Sequence, residues 1–283
     1  MAPTILKLNC PDGMGLLARI TGEISRHGGN LLEVSQYTDK ASGWFFARLA
    51  IEAGRPEWDP AIFAQAFSLM ASELKAAWSV RPSTRKTISP ILVSKEDHCL
   101  ADLLWRWRSG ELGIKIPFVI SNHQSCRTLV EREGLPFYYI SFETDKEAAF
   151  QKIATLLREA GAELAILARF MQILPGWFCQ EYAGRVINIH HSFLPAFAGA
   201  NPYKKAFERG VKLIGATCHY ATEELDAGPI IEQEVARVEH YHDPSDLIRL
   251  GRDCERLALA RGVRYHVEDR ILLHGTKAIV FRD

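Results

Sequence analysis

In the stretch 185–197, RVINIHHSFLPAF, the β-branched residues Val186, Ile187 and Ile189 form an apolar run that stops at Pro195. That is the pattern of a short buried strand running into a loop. Side chains two apart on a strand point the same way, so Asn188 and His190 project together. An amide donor beside a titratable imidazole suits carbonyl chemistry: the amide can hold a developing oxyanion, and the imidazole can move a proton near neutral pH. Asp226, in the phrase EELDAGP, joins this pair only if the fold returns it to the same rim. An Asn-x-His pair alone is more often a satisfied hydrogen-bonding pair than a catalytic one, so its context has to decide.

The elements that must position these groups belong to a chain of average globular composition, with 283 residues, 47% hydrophobic and 24% charged. That length suits one large or two ordinary domains with an ample core. Lysine plus arginine (34) balance aspartate plus glutamate (34), which gives no reason to expect nucleic acid or a membrane surface as partner. No apolar run approaches the roughly 20 residues that span a bilayer, and MAPTILKLNC lacks the pattern of a secretory signal. Cys10, Cys99, Cys126, Cys179, Cys218 and Cys254 are scattered; they read as reduced thiols in a cytoplasmic protein, not as a zinc ribbon or disulfide framework. His190, His191, His219, His240 and His242 fall in the second half, but His-x-His at 240–242 without a carboxylate partner does not make a metal site. No metal and no cofactor are expected.

Residues 4–81 read as βαββαβ, the ferredoxin-like plan. Strand Thr4–Asn9 is followed by a Pro11-Asp12-Gly13 turn and a helix bearing Leu16, Leu17, Ile20 and Ile24, which Gly28-Gly29 stops. Strands 31–37 and 44–51 pair around a turn at 39–43. Helix 60–77, with Ile62, Phe63, Ala66, Phe67, Met70 and Leu74 inward, precedes a strand at 78–81. The polar, proline-bearing join sets the domains at 1–82 and 89–283 with a linker at 83–88. Beyond it, strands at 87–93, 115–120, 137–140, 164–167 and 185–189 alternate with helices at 98–107, 124–132 and 146–160. Such alternation implies a Rossmann-like, mostly parallel α/β sheet with helices on both faces, binding its ligand outside the carboxyl ends of the strands. Strands 212–220 and 230–238 bracket the tight connection 224–228, which brings Asp226 to that rim. Helix 244–267 and a hairpin over 270–281 close the second domain.

Within the first unit, CPDGMGLLARITGEISRHGGNLLEVSQ resembles the opening of an ACT domain, over residues 3 to about 82. The resemblance implies pairing between chains, hence a homo-oligomer (dimer or tetramer). It also implies an amino-acid effector near the first loop, at Asp12, Gly13, Met14 and Gly15. Glycine is the candidate effector because it feeds one-carbon metabolism, and kinetics unaltered by added amino acids would discard it. Taken alone, these four residues close a tight turn.

In the second unit, ARFMQILP (168–175), VINIHHSFLPAF (186–197), IGATCHYATEELDAGPII (214–231) and QEV (233–235) resemble the formyltransferase catalytic domain. Position by position, that resemblance makes Asn188, His190 and Asp226 the catalytic triplet. It also lines a pterin pocket with Met171, Gln172, Ile173 and Leu174 and with Thr222, Glu223, Glu224 and Leu225. By composition alone, Phe170, Met171, Ile173 and Leu174 would be plain core. His191 would point to the opposite face of a regular strand, and Cys218 and His219 are expected to pack and hydrogen-bond.

With an ACT-like unit in front, the chain resembles the deformylases that hydrolyse 10-formyltetrahydrofolate to tetrahydrofolate and formate. The activity so implied supplies formate for purine synthesis and keeps the one-carbon pool in balance, with the folate as substrate. The alternative is transfer of the formyl group to an amine. Nucleotide-using members need a glycine-rich phosphate cradle after the first strand. Ser94-Lys95-Glu96-Asp97-His98-Cys99 stands there, with no glycine and two carboxylates, which favours water as acceptor. Members acting on initiator tRNA carry a further barrel and a basic surface, features not expected here. A sensor with a vestigial triplet is a third reading, and the three intact polar residues argue against it.

Overall fold

A computed structural model describes residues 2–194 and 202–282, so Pro195, Ala196 and Phe197 of the motif-bearing stretch lie outside the described residues. The chain divides into two compact units, one of 1–85 with 268–274 and 279–283, the other of 86–267 with 275–278.

In the first unit, β1 (Thr4–Pro11), α1 (Leu16–Arg26), β2 (Gly29–Asp39), β3 (Trp44–Ala53), α2 (Pro60–Glu73) and β4 (Ala77–Pro82) follow in chain order. The four strands form an antiparallel sheet in the order β2-β3-β1-β4, the ferredoxin-like plan. Leu6, Leu8, Ile20, Ile24, Phe63 and Phe67 fill its core. Asp59 caps α2, accepting from the Ala61 amide at 2.7 Å, with Pro60 in the first turn. The buried residues Phe63, Phe67 and Ala71 recur every four positions. Ile62, expected to face inward, therefore lies off that stripe and is exposed.

β3 is buried on both faces along most of its length, because the C-terminal segment covers the face turned away from the helices. Arg48 donates to the Glu268 carbonyl, and His274 packs on Trp44 and Phe46. Asp269 pairs with Lys7 at 3.1 Å and with Arg81. Residues 268–274 and 279–283 thus pack with the first unit, which corrects their assignment to a second domain running to 283.

In the second unit, β5 (Thr87–Ile88) and β6 (Ile91–Val93) replace one expected strand, and β7 (Ile114–Lys115) and β8 (Val119–Ser121) replace another. Pro90 and Pro117 have no N–H to give a ladder, so each run breaks there. The unit continues with α3 (His98–Ser109), α4 (Arg127–Arg132), β9 (Phe137–Tyr139), α5 (Lys146–Glu159), β10 (Ala165–Ala168), α6 (Gly176–Glu181), β11 (Val186–His190), α7 (Pro202–Glu208), β12 (Leu213–Tyr220), β13 (Ile230–Arg237) and α8 (Pro244–Val267). A hairpin, β14 (Ile271–His274) with β15 (Lys277–Val280), ends the chain.

The central sheet has the order β13-β12-β11-β10-β6-β8-β9. Its pairs from β11 to β9 are parallel, and β12 and β13 are antiparallel. The chain winds outward from β6 through β8 to β9, then crosses back to β10 on the other side of β6. This reversal in strand order opens a crevice at the carboxyl ends of β6 and β10. There the Ser94 amide donates to the Arg169 carbonyl at 3.2 Å. Phe150, Ile153, Leu157, Leu167, Phe170 and Phe178 pack the core beneath it. No helix among the described residues is long and apolar enough to cross a membrane.

Candidate active site

β11 enters the sheet as a buried strand and delivers Asn188 and His190 to the same face at its carboxyl end. Antiparallel pairing with β12 sets Asn188 opposite His219 and His190 opposite Thr217. The Asn188 amide nitrogen lies 3.2 Å from His219 Nε2, and His219 Nδ1 lies 2.9 Å from the Tyr220 carbonyl. A carbonyl only accepts, so His219 carries its proton on Nδ1, and its Nε2 accepts one hydrogen from the Asn188 amide. The second amide hydrogen remains for another acceptor. Thr217 secures the turn beyond the strand: its hydroxyl donates to the Ser192 carbonyl and accepts from the Leu194 amide.

The loop between β12 and β13 returns Asp226 to this pair. Its Oδ2 is 3.1 Å from His190 Nδ1, and its Oδ1 is 3.7 Å from His219 Nε2. Burial alone would raise the Asp226 carboxyl, but the hydrogen bond from His190 and the neighbouring His219 ring outweigh it and hold the group well below the usual carboxylate range. His190 Nε2 is buried and has no hydrogen-bond partner among the described residues.

These groups line a cavity of about 680 Å³ at the crevice in the sheet, within the range of small-molecule sites. Arg169 (φ 63°), Met171 (φ 58°) and Asp226 (φ 57°) hold left-handed backbone conformations on its wall. Each costs roughly 1–3 kcal/mol, and such strain collects at functional sites.

The cavity lining also carries a buried ion cluster built from α3, α8 and Arg169. Glu255 accepts from His98 Nε2 and from the Tyr203 hydroxyl, each at 2.7 Å, and lies 3.3 Å from Arg169 Nε. Burial opposes its charge, but His98, Arg169 and Tyr203 together hold the carboxyl below its ordinary value. Gly251, one helical turn before Glu255, makes room for this contact: a Cβ there would meet the Tyr203 hydroxyl at 2.1 Å. His98, Cys99 and Glu255 are close enough to suggest a cation site. Burial and Glu255 keep the Cys99 thiol well above its usual value, and the Arg169 guanidinium is already beside the same carboxylate, so this donor set does not suit a metal.

Of the residues expected to bind folate, Met171, Gln172, Ile173 and Leu225 line the cavity, with Met171, Ile173 and Leu225 exposed at its mouth. Leu174 instead packs against the core. Thr222, Glu223 and Glu224 are exposed on the loop, and Glu223 accepts from Gln180. Asp12, Gly13, Met14 and Gly15 form an exposed loop of the first unit. His191 lines the same cavity as His190 instead of facing away, because β11 ends at His190 and strand alternation stops with it. Burial, Arg169 and His190 push the His191 imidazole down to about 4, so it is neutral at pH 7. His219, Arg169, Tyr203 and Glu255 were not singled out for the site from sequence. Arg169 and His219 fall within the motif stretches 168–175 and 214–231, and Tyr203 and Glu255 gave no signal.

The fold and the site together define an enzyme with a formyl-transferase domain preceded by an ACT domain. The family model for formyl transferase matches residues 89–263, and that for the ACT domain matches 4–57. The formyltetrahydrofolate deformylase of Bacillus subtilis (strain 168) is 44% identical, with 98% of this chain and 93% of that protein covered. The solved formyltetrahydrofolate deformylase of Pseudomonas syringae pv. tomato superposes with a TM-score of 0.96 at 48% identity, over 100% of this chain and 95% of that one. Glycinamide ribonucleotide transformylase 1 of Symbiobacterium toebii superposes with a TM-score of 0.66 at 27% identity, covering 70% of this chain and 95% of that one. The chain belongs to the formyltetrahydrofolate deformylase family, a family of hydrolases.

Proposed function

We propose that the chain hydrolyses 10-formyltetrahydrofolate to tetrahydrofolate and formate, with Asn188, His190 and Asp226 carrying the reaction. The observation that supports this most is the asymmetry of His190: Nδ1 is held by Asp226 while Nε2 is buried with no hydrogen-bond partner among the described residues. A formyl oxygen at Nε2 would also meet the free hydrogen of the Asn188 amide. Two donors aimed at one oxygen stabilise the charge that develops as water adds to the carbonyl. Protonation of the folate nitrogen then lets the carbon–nitrogen bond break. The balance is one water consumed, with formate, the N–H of tetrahydrofolate and one proton formed. Asp226 is placed to balance positive charge on His190 while the proton moves.

The pterin would lie against Met171, Gln172, Ile173 and Leu225, the apolar mouth of the cavity; Leu174, Thr222, Glu223 and Glu224 would serve by shaping the two loops. The loop 94–99 has no glycine with which to cradle a phosphate, and Glu96 on the cavity wall is occupied by Arg252, which supports water as acceptor. Formate freed in this way would supply purine synthesis and balance the one-carbon pool. The ACT domain carries the effector reading at 12–15 and the homo-oligomer reading. β2, an edge strand with exposed Leu32 and Val34, is the surface for chain pairing.

Formate release assayed with and without glycinamide ribonucleotide tests the hydrolytic reading. Equal rates are expected; release that requires the amine would replace hydrolysis with transfer.

A further inference from the structure

We propose that Arg169 forms an anion subsite in the same cavity, and that its ligand is a small carboxylate, the formate the reaction produces. The inference rests on the hydrolytic reading above and adds a product site to it.

Three cationic side chains line the described part of the cavity: Arg169, Lys204 and Arg252. Lys204 is 73% exposed and faces Glu208, and Arg252 is 48% exposed and bonds Glu96. Arg169 is 12% exposed, and its Nη1 and Nε are buried with no hydrogen-bond partner among the described residues. Glu255 lies beside it as an ion pair, but neither buried nitrogen forms a hydrogen bond among the described residues. One Glu255 oxygen is taken by His98 and the other by Tyr203, and Arg169 Nε approaches at 3.3 Å without forming a hydrogen bond. A buried charged donor with no acceptor is more costly than a neutral one. Here that cost falls on a residue already held at φ 63°, a combination that calls for a ligand supplying the missing acceptor.

Hydrolysis supplies one. It converts a neutral formyl amide into an anion inside a cavity that also holds the ionised Asp226. Formate is repelled by that carboxylate and drawn to the cavity's buried guanidinium. Its oxygen can accept from Nη1, the buried donor for which no Glu255 contact is found. Arg169 thus gives the product a place apart from the carbon where the next water must add.

The test is an equilibrium titration of ¹³C-formate into the full-length protein without folate, at constant ionic strength set by sodium chloride, read from the formate line width. Saturable broadening that excess nitrate, a planar anion of similar size, displaces is the expected result. Arg169→Gln should weaken binding about tenfold or more, the size expected for losing a hydrogen bond to a charged group. Glu255→Gln should tighten it, because the carboxylate that offsets the guanidinium is gone. A purely structural role for the pair would move both variants the same way. If Arg169→Gln does not fold, Glu255→Gln decides alone, and unchanged or weaker formate binding overturns the proposal. Absence of saturable broadening in the unaltered protein, or equal binding by Arg169→Gln, overturns it as well. Because no folate turns over in this titration, it fails or stands independently of the amine-dependence assay.

Discussion

Asp226 is a poor base and a strong acceptor. The hydrogen bond from His190 and the neighbouring His219 ring outweigh its burial and hold it ionised far below neutral pH, so it gains little by taking a proton from water. In the proposed reaction its contribution is to hold His190 Nδ1–H and to balance charge on the ring, which would leave Nε2 for the substrate. Asp226→Asn keeps the shape and removes the charge. The formate-release rate of that variant should drop by roughly 10²–10⁴, the usual worth of a positioned proton-transfer group, with KM little changed and a cooperative melt retained. A near-normal rate would remove Asp226 from the mechanism. Asn188 and His190 were legible in the sequence because a period of two needs only a strand. The pairing of Asn188 with His219 was not, because it depends on the register between β11 and β12, which no local pattern sets. Arg169 and Glu255 meet across distances along the chain that no local pattern encodes.

At the scale of elements, the loop from β12 to β13 depends on Gly228. A Cβ there would stand 1.8 Å from the Tyr220 carbonyl oxygen, and backbone cannot yield as a side chain tip can. Gly228→Ala must therefore push the two strand ends apart and carry Asp226, two residues away, out of reach of His190. Displacement of a positioned group by about 1 Å can cost about 100-fold. A loss of that order in the rate of formate release is expected, with stability lowered as well. Gly113→Ala, whose Cβ would meet nothing within 4 Å, is the control and should leave the rate unchanged; an active Gly228→Ala enzyme would show that the loop is not rigid. The long helices were legible from their 3.6-residue period, and α8 lies where its apolar spacing puts it, at Pro244–Val267. α6 and α7 are too short to display a period. The prolines at 90 and 117 were visible as letters, but whether each bends a strand or divides it depends on the neighbouring ladder.

At the scale of the whole molecule, a chain can leave a domain and return to it, and composition marks only the exit. The apolar run WFFARLAI in β3 held the clue, since a strand buried on both faces needs cover on both, but nothing in the run names the residues that supply it. They are those around Asp269, which places its carboxylate against Lys7 and Arg81 on the sheet of the first unit. Burial raises that carboxyl and the two cations lower it further, leaving it below its ordinary value. A group whose native value is depressed contributes stability above the unfolded value of about 4, and that contribution is lost as the pH falls through the native value. Asp269→Asn tests this without adding strain, because asparagine tolerates the left-handed backbone found there (φ 57°). The variant should unfold more easily in urea at pH 7, by about 1–3 kcal/mol. That is less than the roughly 3–5 kcal/mol for breaking a fully buried pair, because Lys7 and Arg81 keep partial access to water. The gap from the unaltered protein should begin to close as the pH falls below about 4 and vanish only below the depressed native value, where Asp269 is protonated in both states. A gap of the same size at pH 7 and in acid would mean that packing of the C-terminal segment, and not the Asp269 charge, ties it to the first unit.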